Sequence, residues 1–325
     1  MTVAAGDGIT LRPYTPADEA VWNRWVAGAA NGSFLFDRGF MGYHADRFPD
    51  ASLLIERQGR LLAVLPAHRD GDGWASHRGL SYGGLVVAQP LGPEATLAVL
   101  RAVQAHGRRQ GWPALLYKTV PLIYHRLPCE DDRWALWRLG ATLVRRDALA
   151  AIGPTAAHWP PARRRPITRA MRERAALRLH WQAGDEAAAS WPVFWGLLEA
   201  ELQARHGQSP VHSLDEIRLL AGRFPAHIRL GLACQGAEVL AGAVLFEGPA
   251  ACRLQYTATG DAGRRVAALD QLLEQAVAQA QAGGRWFDFG HSHEDQGRAV
   301  NAGLAFYKAS FGASTVVHDH YVLPC

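Results

Sequence analysis

The order of the predicted helices and strands limits the fold of this chain more than any other feature, because the same order occurs twice. In residues 177–323, hydrophobic periodicity and turn residues predict a strand, two helices, a three-stranded meander, a helix, a strand, a helix and a last strand. Residues 9–148 predict the same order without obvious sequence identity. At 325 residues, the chain is long enough for a core in each half. We therefore predict an α/β protein of the α+β type, with two tandem domains that each contain a mixed, mostly antiparallel sheet flanked by helices.

The two halves are joined by a segment of different composition. Residues 154–176 contain a proline-rich break followed by a basic stretch that includes the run Arg163 to Arg165. We predict an N-terminal domain at 1–153, a linker helix at 154–176 and a C-terminal domain at 177–325. The linker is either a solvated helix or a basic surface that binds phosphate groups, and the sequence leaves both possibilities open.

Composition argues against several classes of protein. Apolar residues make up 49% of the chain and charged residues 20%, which is typical of a globular protein and not of a disordered one. A formal charge of +4 does not by itself predict nucleic-acid binding. No apolar run reaches the roughly 18 residues of a membrane span, and the N-terminus lacks the blocks of a signal peptide, so we expect a cytoplasmic protein. The four cysteines show no CxxC spacing and there is no HExxH motif, so we expect no metal site.

Lysine is rare in this chain, and one of its two lysines lies in a segment rich in polar side chains. Lys118 and Lys308 are the two lysines among 34 cationic residues. Because the ammonium group is compact and its pKa shifts readily, a lysine in an arginine-rich chain can mark a special position, although chance is the alternative. Lys308 lies within the stretch 286–321, which also contains Glu294 and Asn301.

Lys308 and Glu294 are the predicted sources of charge in this stretch. We predict a helix at 299–311, on which Asn301 and Lys308 project from one face two turns apart. Lys308 would there hold a phosphate, a carboxylate or a developing oxyanion, unless it only extends along the helix surface to reach solvent. Glu294 follows a predicted strand end and would accept a proton, or it belongs to a turn capped by Ser292.

The central strand of the second meander and a loop of the first half carry further candidates. Gln255 and Tyr256 lie on opposite faces of a regular strand, so both would line one cleft only if the strand bulges there; otherwise Tyr256 is a core aromatic residue. The glycine-rich stretch 76–84 would bring a loop close to a ligand or simply form a tight turn. Candidate substrate-binding side chains of the first half, expected to face the second domain, are His77, Tyr82, Lys118, Tyr124 and His125.

The C-terminal segment resembles a known motif. The stretches FGHSHEDQG and NAGLAFYKASFGA look like the motif of bacterial FemAB-related acyltransferases, which have a doubled GNAT fold and are found with polysaccharide biosynthesis genes. The matching positions are Ser292, Glu294, Gly297, Asn301, Gly303, Leu304, Lys308, Phe311 and Gly312. The stretches SHRGLSYGG, YKTVPLIYH, PVHSLDEI and LQYTATG extend the resemblance over nearly the whole chain.

The resemblance implies an acyltransferase that moves an acyl group from an activated donor, acyl-CoA, to an amine or hydroxyl group of a sugar or cell-envelope precursor. It implies catalytic roles for Glu294, Lys308 and His291, and substrate contacts from Ser292, Asn301 and the candidates named above. The acyl-CoA would bind as a co-substrate on the loop GDAGRR, which departs from the usual GNAT pattern. The residues of that loop implied in binding are Gly260, Gly263, Arg264 and Arg265.

Two alternatives stay open at this point. The first is an aminoacyl-tRNA-dependent transferase of the FemABX type, favoured by the unusual cofactor loop and by the basic stretch 163–174, although no long helical-hairpin insertion is visible. The second is a non-catalytic module that binds a saccharide or a partner enzyme. We expect no tightly bound cofactor, and the sequence does not determine the acceptor or the oligomeric state.

Overall fold

The computed structural model describes residues 3–5, 8–155 and 177–325. Its contacts divide the chain into two compact units. Unit 1 consists of Met1–Ala148, Asp295–Ala299 and Val316–Cys325, and unit 2 consists of Leu149–Glu294 and Val300–Thr315. The chain therefore returns to unit 1 twice after it has entered unit 2. The domain limits from the sequence stay a prediction, and all but the first two residues of the predicted linker helix at 154–176 lie outside the described residues.

Both halves of the chain contain strands and helices. The strands are β1 (Val3–Ala5), β2 (Ile9–Pro13), β3 (Leu53–Arg57), β4 (Arg60–Leu65), β5 (His68–Asp70), β6 (Gly73–Ala75), β7 (Val86–Val87), β8 (Ala114–Lys118), β9 (Thr142–Ile152), β10 (Arg178–Ala183), β11 (Ile228–Gln235), β12 (Glu238–Glu247), β13 (Ala251–Thr259), β14 (Trp286–His291), β15 (His293–Glu294), β16 (Ala299–Val300) and β17 (Ser314–Pro324). The α-helices are α1 (Glu19–Gly28), α2 (Arg38–Met41), α3 (Pro93–Arg109), α4 (Asp131–Arg138), α5 (Trp191–His206), α6 (Leu214–Arg223), α7 (Asp261–Arg265), α8 (Ala268–Ala282) and α9 (Ala302–Ala309). Among the described residues, no helix combines the length and the apolar character needed to span a membrane.

Unit 1 contains an antiparallel sheet covered by a helix. The strand order is β1-β2-β3-β4-β7, and every neighbouring pair is antiparallel. The apolar stripe of α3 includes Leu100 and Val103, which are fully buried. They belong to one core with Leu11 and Ile55 of the sheet. The first half therefore forms the predicted layer of a helix on a sheet, which confirms the α/β class.

The third strand of the predicted first meander is present, but its predicted place in that meander is wrong. Residues 73–75 form β6, which pairs antiparallel with β5 and parallel with β8, while β7 takes the place beside β4. β8 in turn pairs antiparallel with residues 320–324 of β17, so the end of the chain completes a sheet of unit 1. Periodicity cannot detect β7, because two buried valines contain too little pattern to separate a strand from any other apolar pair.

The meander predicted for the second half is confirmed in unit 2. Strands β10 to β13 pair antiparallel in chain order, and β14 pairs parallel with β13. Residues 149–152 at the end of β9 pair antiparallel with β14. Helix α8 buries Leu272, Leu273 and Ala276 in a core that also contains Leu245 of β12. The helix-on-sheet layer therefore occurs in unit 2 as well.

The helix predicted at 299–311 is shorter than expected and begins at Ala302. The turn before it has three consecutive positive φ angles, at residues 295–297, so its backbone cannot be helical. Asn301 is the N-cap of α9, with φ of −74° and ψ of 95°. The prediction that Asn301 and Lys308 project from one helix face is therefore wrong, because Asn301 lies before the first helical residue.

Candidate active site

Strand β13 has a bulge in the middle of the unit 2 meander. In its ladder with β12, Tyr256 pairs with Val244 and Leu254 pairs with Leu245, so Gln255 has no residue opposite it. The bulge lies where the sequence required one for Gln255 and Tyr256 to line the same cleft. Bulges take backbone groups out of the regular ladder and are over-represented beside active sites.

The ladder between β13 and β14 is short. It joins residues 251–253 to residues 286–288 in parallel register, and these two strands share no further pair. The two strands therefore continue past the end of the ladder, over residues 254–259 of β13 and residues 289–291 of β14. The bulge at Gln255 lies in this part of β13. Ligands of α/β sheets usually bind at the carboxyl ends of the strands. The bulge and the ladder end together define the candidate site.

Lys308 fixes the end of β14 from helix α9. Only 6% of its surface is exposed, and Nζ donates to the backbone oxygens of Gly290, at 3.0 Å, and His291, at 2.6 Å. Burial lowers the Lys308 pKa to about 8, while the charge of Asp288 opposes this shift. The interpretation of Lys308 as a surface lysine that reaches out to solvent is wrong, and its contact with a substrate stays a prediction.

A buried ion pair that the sequence did not reveal lies beside Lys308. Asp288 is fully buried, and its Oδ2 accepts a hydrogen bond from Nη1 of Arg253 at 2.9 Å. Its Oδ1 accepts from the backbone N–H of Gly290 at 2.7 Å. Nε of Arg253 also donates to Oε1 of Gln255 at 3.4 Å. A continuous series of polar contacts therefore connects the bulge on β13 with the end of β14.

Glu294 and Asn301 form an exposed polar pair next to this end of β14. Nδ2 of Asn301 donates to Oε1 of Glu294 at 3.0 Å, and Oδ1 of Asn301 accepts from the backbone N–H of Leu304 at 2.9 Å. The backbone N–H of Asn301 donates to the backbone oxygen of Ser292 at 2.9 Å. Glu294 is exposed to solvent. The N-cap of α9 therefore orients a carboxylate that a dissolved molecule can reach.

Ser292 carries a buried hydroxyl group within the same segment. The residue is 6% exposed, and its Oγ has no hydrogen-bond partner among the described residues. The predicted turn capped by Ser292 is therefore wrong. Buried hydroxyl groups in proteins are normally hydrogen-bonded, so a ligand group that reached this oxygen would satisfy it. His291, one residue earlier, is exposed.

Tyr256, next to the bulge, is held by His212. Its hydroxyl group is hydrogen-bonded to Nδ1 of His212 and accepts from the backbone N–H of the same residue at 3.3 Å. The ring of Trp195 packs edge-on against Tyr256 with centroids 5.3 Å apart. Burial raises the pKa of Tyr256 to about 12, so the hydroxyl stays protonated at neutral pH. Tyr256 is half-buried and its hydroxyl group is bonded within unit 2, while a role in substrate binding stays a prediction.

Close packing explains the glycine at position 263 in the predicted acyl-CoA loop. Residues 261–265 form the single-turn helix α7. A Cβ atom at Gly263 would lie 2.3 Å from the backbone oxygen of Leu240 and 2.7 Å from Oγ1 of Thr259. Glycine is thus required here by the close approach of two backbone segments.

The arginine of the same loop is already paired. Arg264 donates to Asp261 Oδ1 at 2.6 Å and to Glu201 Oε1 at 3.1 Å. Because two carboxylates neutralise this guanidinium, it is poorly suited to hold the phosphates of CoA. Binding of acyl-CoA by Gly260, Gly263, Arg264 and Arg265 stays a prediction.

Lys118, in unit 1, has the same kind of contacts as Lys308. It is 6% exposed, and Nζ donates to the backbone oxygens of His77, at 3.2 Å, and Leu80. His77 is also buried, has a positive φ of 63° and packs against the rings of His44 and His68. Burial lowers the pKa of His77 to about 2, so this ring is uncharged at neutral pH.

The other candidates of the first half are also bonded within unit 1. Tyr82 donates to Oγ of Ser33 at 2.9 Å, and its ring centroid lies 4.4 Å from that of Tyr124. Nε2 of His125 is hydrogen-bonded to the backbone oxygen of Val120 at 3.1 Å. Burial and packing account for these side chains, and their contacts with a substrate stay predictions.

Solved structures share this fold, although no protein-family model and no curated protein sequence matches the chain. FemX superimposes with a TM-score of 0.66 at 12% identity, over 97% of this chain and 97% of FemX. The C-terminal DUF2156 domain of a putative lysylphosphatidylglycerol synthetase from Agrobacterium fabrum gives a TM-score of 0.61 at 12% identity, over 95% and 92% of the two chains. A tandem GNAT protein of the clavulanic acid pathway gives 0.51 at 15% identity, over 97% and 98%. The chain therefore has the fold of FemX and of tandem GNAT proteins, as the motif resemblance implied.

Proposed function

We propose that unit 2 carries an acyltransferase site, which moves an acyl group from an activated donor to an amine or hydroxyl group of a sugar or cell-envelope precursor. The observations that support this most are the backbone bulge at Gln255 of β13 and the exposed carboxylate of Glu294, which follows β14, the strand that pairs with β13. The buried Ser292 hydroxyl supplies a further polar group for a ligand.

The chemistry requires a hydrogen-bond donor and a proton acceptor. The acceptor nitrogen forms a bond to the acyl carbonyl carbon, and the bond from that carbon to the sulfur or oxygen of the donor breaks. Backbone N–H groups of the bulge at Gln255 suit the negative charge that develops on the carbonyl oxygen. Glu294 takes the proton of the amine, and the leaving group is protonated in turn. No covalent intermediate with the protein is required.

Lys308 and Asp288 act as positioning residues in this proposal. Lys308 binds the carbonyl groups of residues 290 and 291, and Asp288 binds the N–H group of residue 290. Both contacts fix the backbone immediately before Ser292 and Glu294. His291 is exposed in the same segment and is the alternative proton acceptor.

The donor has two candidates. Acyl-CoA follows from the GNAT resemblance and agrees with the similarity to a tandem GNAT protein. An aminoacyl-tRNA is favoured by the neutralised Arg264, which makes the CoA loop unusual, and by the similarity to a protein named for the synthesis of lysylphosphatidylglycerol. The cytoplasmic location stays a prediction.

The decisive experiment identifies the donor, measures turnover and tests the role of Glu294 in proton transfer. Purified protein is incubated with acetyl-CoA or palmitoyl-CoA, or with charged tRNA, and with a panel of hexosamines and nucleotide-linked amino sugars, and acylated products are detected by mass spectrometry. We expect Glu294→Gln to lower the turnover by about 10² to 10⁴, because general-base catalysis contributes about that factor. Asp295→Asn changes an exposed neighbouring carboxylate and is the matched control. Turnover of Glu294→Gln equal to that of the control would refute the role of Glu294, and no product with any donor would refute the proposed reaction.

A further inference from the structure

Two histidines and an aspartate form a cluster in unit 1, outside the candidate acyltransferase site. Asp147 of β9 and His318 and His320 of β17 each offer one ligand atom, and these three atoms lie within 4.8 Å of one another. The two histidines are two positions apart on a strand, so their side chains share a face. Asp319 between them is bonded instead to Arg146, at 2.6 and 2.9 Å.

The cluster is buried and contains an unsatisfied nitrogen. Asp147 is 2% exposed, His318 5%, and the side chain of His320 12%. Nε2 of His320 has no hydrogen-bond partner among the described residues, and the nearest oxygen of Asp147 is 3.8 Å away. Buried polar atoms without a partner are rare in proteins, and each one calls for an explanation such as an ion.

Neighbouring residues orient the aspartate. Nε of Arg145 donates to both oxygens of Asp147, at 3.0 and 2.9 Å. A carboxylate has about four lone-pair sites, so it can keep these bonds and still bind a metal ion, and such outer contacts are typical of carboxylate ligands. Gly297, a residue of the resembled motif, has a φ of 92° and lies so close that a Cβ atom there would be 3.1 Å from Oδ1 of Asp147.

Two cationic side chains near the cluster disfavour a bound metal ion. Arg145 is paired with Asp147, and Lys118 lies opposite His320 in the ladder between β8 and β17. Because these cations oppose a metal ion, binding has to come from direct ligand bonds and not from a negative field. Imidazole and carboxylate together suit Zn²⁺, whereas Mg²⁺ and Ca²⁺ take oxygen ligands.

We propose that Asp147, His318 and His320 bind one divalent transition-metal ion, of which Zn²⁺ is the favoured one. Three protein ligands leave a fourth tetrahedral position for water or an anion. The sequence predicts no metal site, because it has no CxxC spacing and no HExxH motif. The His-x-His spacing of a strand was the available signal, and the third ligand comes from a distant strand. The site does not depend on the proposed acyl transfer.

The test uses the full chain without a polyhistidine tag. The metal is removed with EDTA, its removal is checked by elemental analysis, and Co²⁺ is added while its visible absorption is followed. Zn²⁺ is then titrated in competition with a coloured chelator. We expect one equivalent of Zn²⁺ or Co²⁺ per chain, and a higher melting temperature with Zn²⁺, since an ion that binds the folded chain stabilises it. The absence of saturable binding by the wild-type protein would overturn the proposal.

Variants locate the binding. We expect Asp147→Asn and His320→Ala to weaken Zn²⁺ binding by about 100-fold or more, since even outer contacts of a metal ligand are worth about 10- to 100-fold. His180→Ala is the matched control, because His180 also has a ring nitrogen without a hydrogen-bond partner but belongs to no metal-type group within the described residues. Circular dichroism of the metal-free variants checks that each is folded. Equal affinity in the cluster variants and the control would overturn the assignment to this cluster.

Discussion

The buried Lys308 makes a contribution to the stability of this protein that grows as the solution becomes alkaline. Burial lowers the Lys308 pKa from an ordinary value of 10.5 to about 8. At pH 7 the folded and unfolded chains both bind the proton. Between pH 8 and 10.5 the unfolded chain still binds it after the folded chain has released it, so the contribution of Lys308 to the free energy of unfolding rises with pH. Integrated from pH 7 to 9.5, this rise is about 2 kcal/mol.

The variant Lys308→Met isolates this contribution. It keeps an apolar chain of similar length in α9 but removes the titrating group, while the other groups of the protein titrate in both forms. The free energies of unfolding of the wild type and the variant are measured by urea denaturation at several values between pH 7 and 9.5. We expect the wild type to gain about 2 kcal/mol relative to the variant across this range.

The control and the refuting result follow from the same reasoning. Arg298→Met removes an exposed cation from the segment before α9, and its difference from the wild type should not change with pH, because this variant keeps the buried ammonium group of Lys308. A constant difference for Lys308→Met, or one that moves against the wild type as pH rises, would show that Lys308 is not buried as described.

Two further predictions concern packing and charge in unit 2. Asp288→Asn leaves the partly buried guanidinium of Arg253 without its counter-ion, so we expect a loss of about 3 kcal/mol in urea denaturation, and a loss below 1 kcal/mol would contradict the buried pair. Gly263→Ala forces a Cβ atom against the backbone of Leu240 and should cost about 1–3 kcal/mol. Its control, Gly222→Ala in α6, meets no atom within 4 Å and should be neutral or stabilising by up to about 1 kcal/mol. Equal stability of the two alanine variants would contradict the close approach at residue 263.

Local elements of this fold could be predicted from the sequence because their signals are local. Helix α3 has an apolar stripe at helical spacing, and the short apolar strand β8 follows it directly. The sequence signature of a capping box, Ser213 followed three residues later by Glu216, is present at the start of α6 and forms there. The pairing of strands that are distant in the sequence could not be predicted in this way. Nothing near residues 320–324 indicates that they pair with β8, because that choice is set by the packing of distant segments.

In the candidate site too, local features could be predicted from the sequence, whereas contacts between distant segments could not. The sequence could state that Gln255 and Tyr256 need a bulge to share a cleft, but not that one exists, since a bulge is a register shift against another strand. Asp288 was visible as a charge inside the apolar stretch WFDFG, yet its partner Arg253 lies on another strand. The acceptors of Lys308 are backbone oxygens, and every residue has one, so no residue type could identify them.

The two lysines, one in each unit, have one physical role in common. Lys118 and Lys308 are both buried, and each Nζ donates to two backbone oxygens of a single loop or strand end. A compact ammonium group can reach two converging oxygens within a small space, whereas a planar guanidinium with five donors needs more room and more acceptors. This explains why an arginine-rich chain has lysine at both positions. It also means that both ammonium groups are engaged by the protein itself, so the proposed reaction in unit 2 relies on the backbone N–H groups of the bulge and on Glu294 for its contacts with the reacting groups.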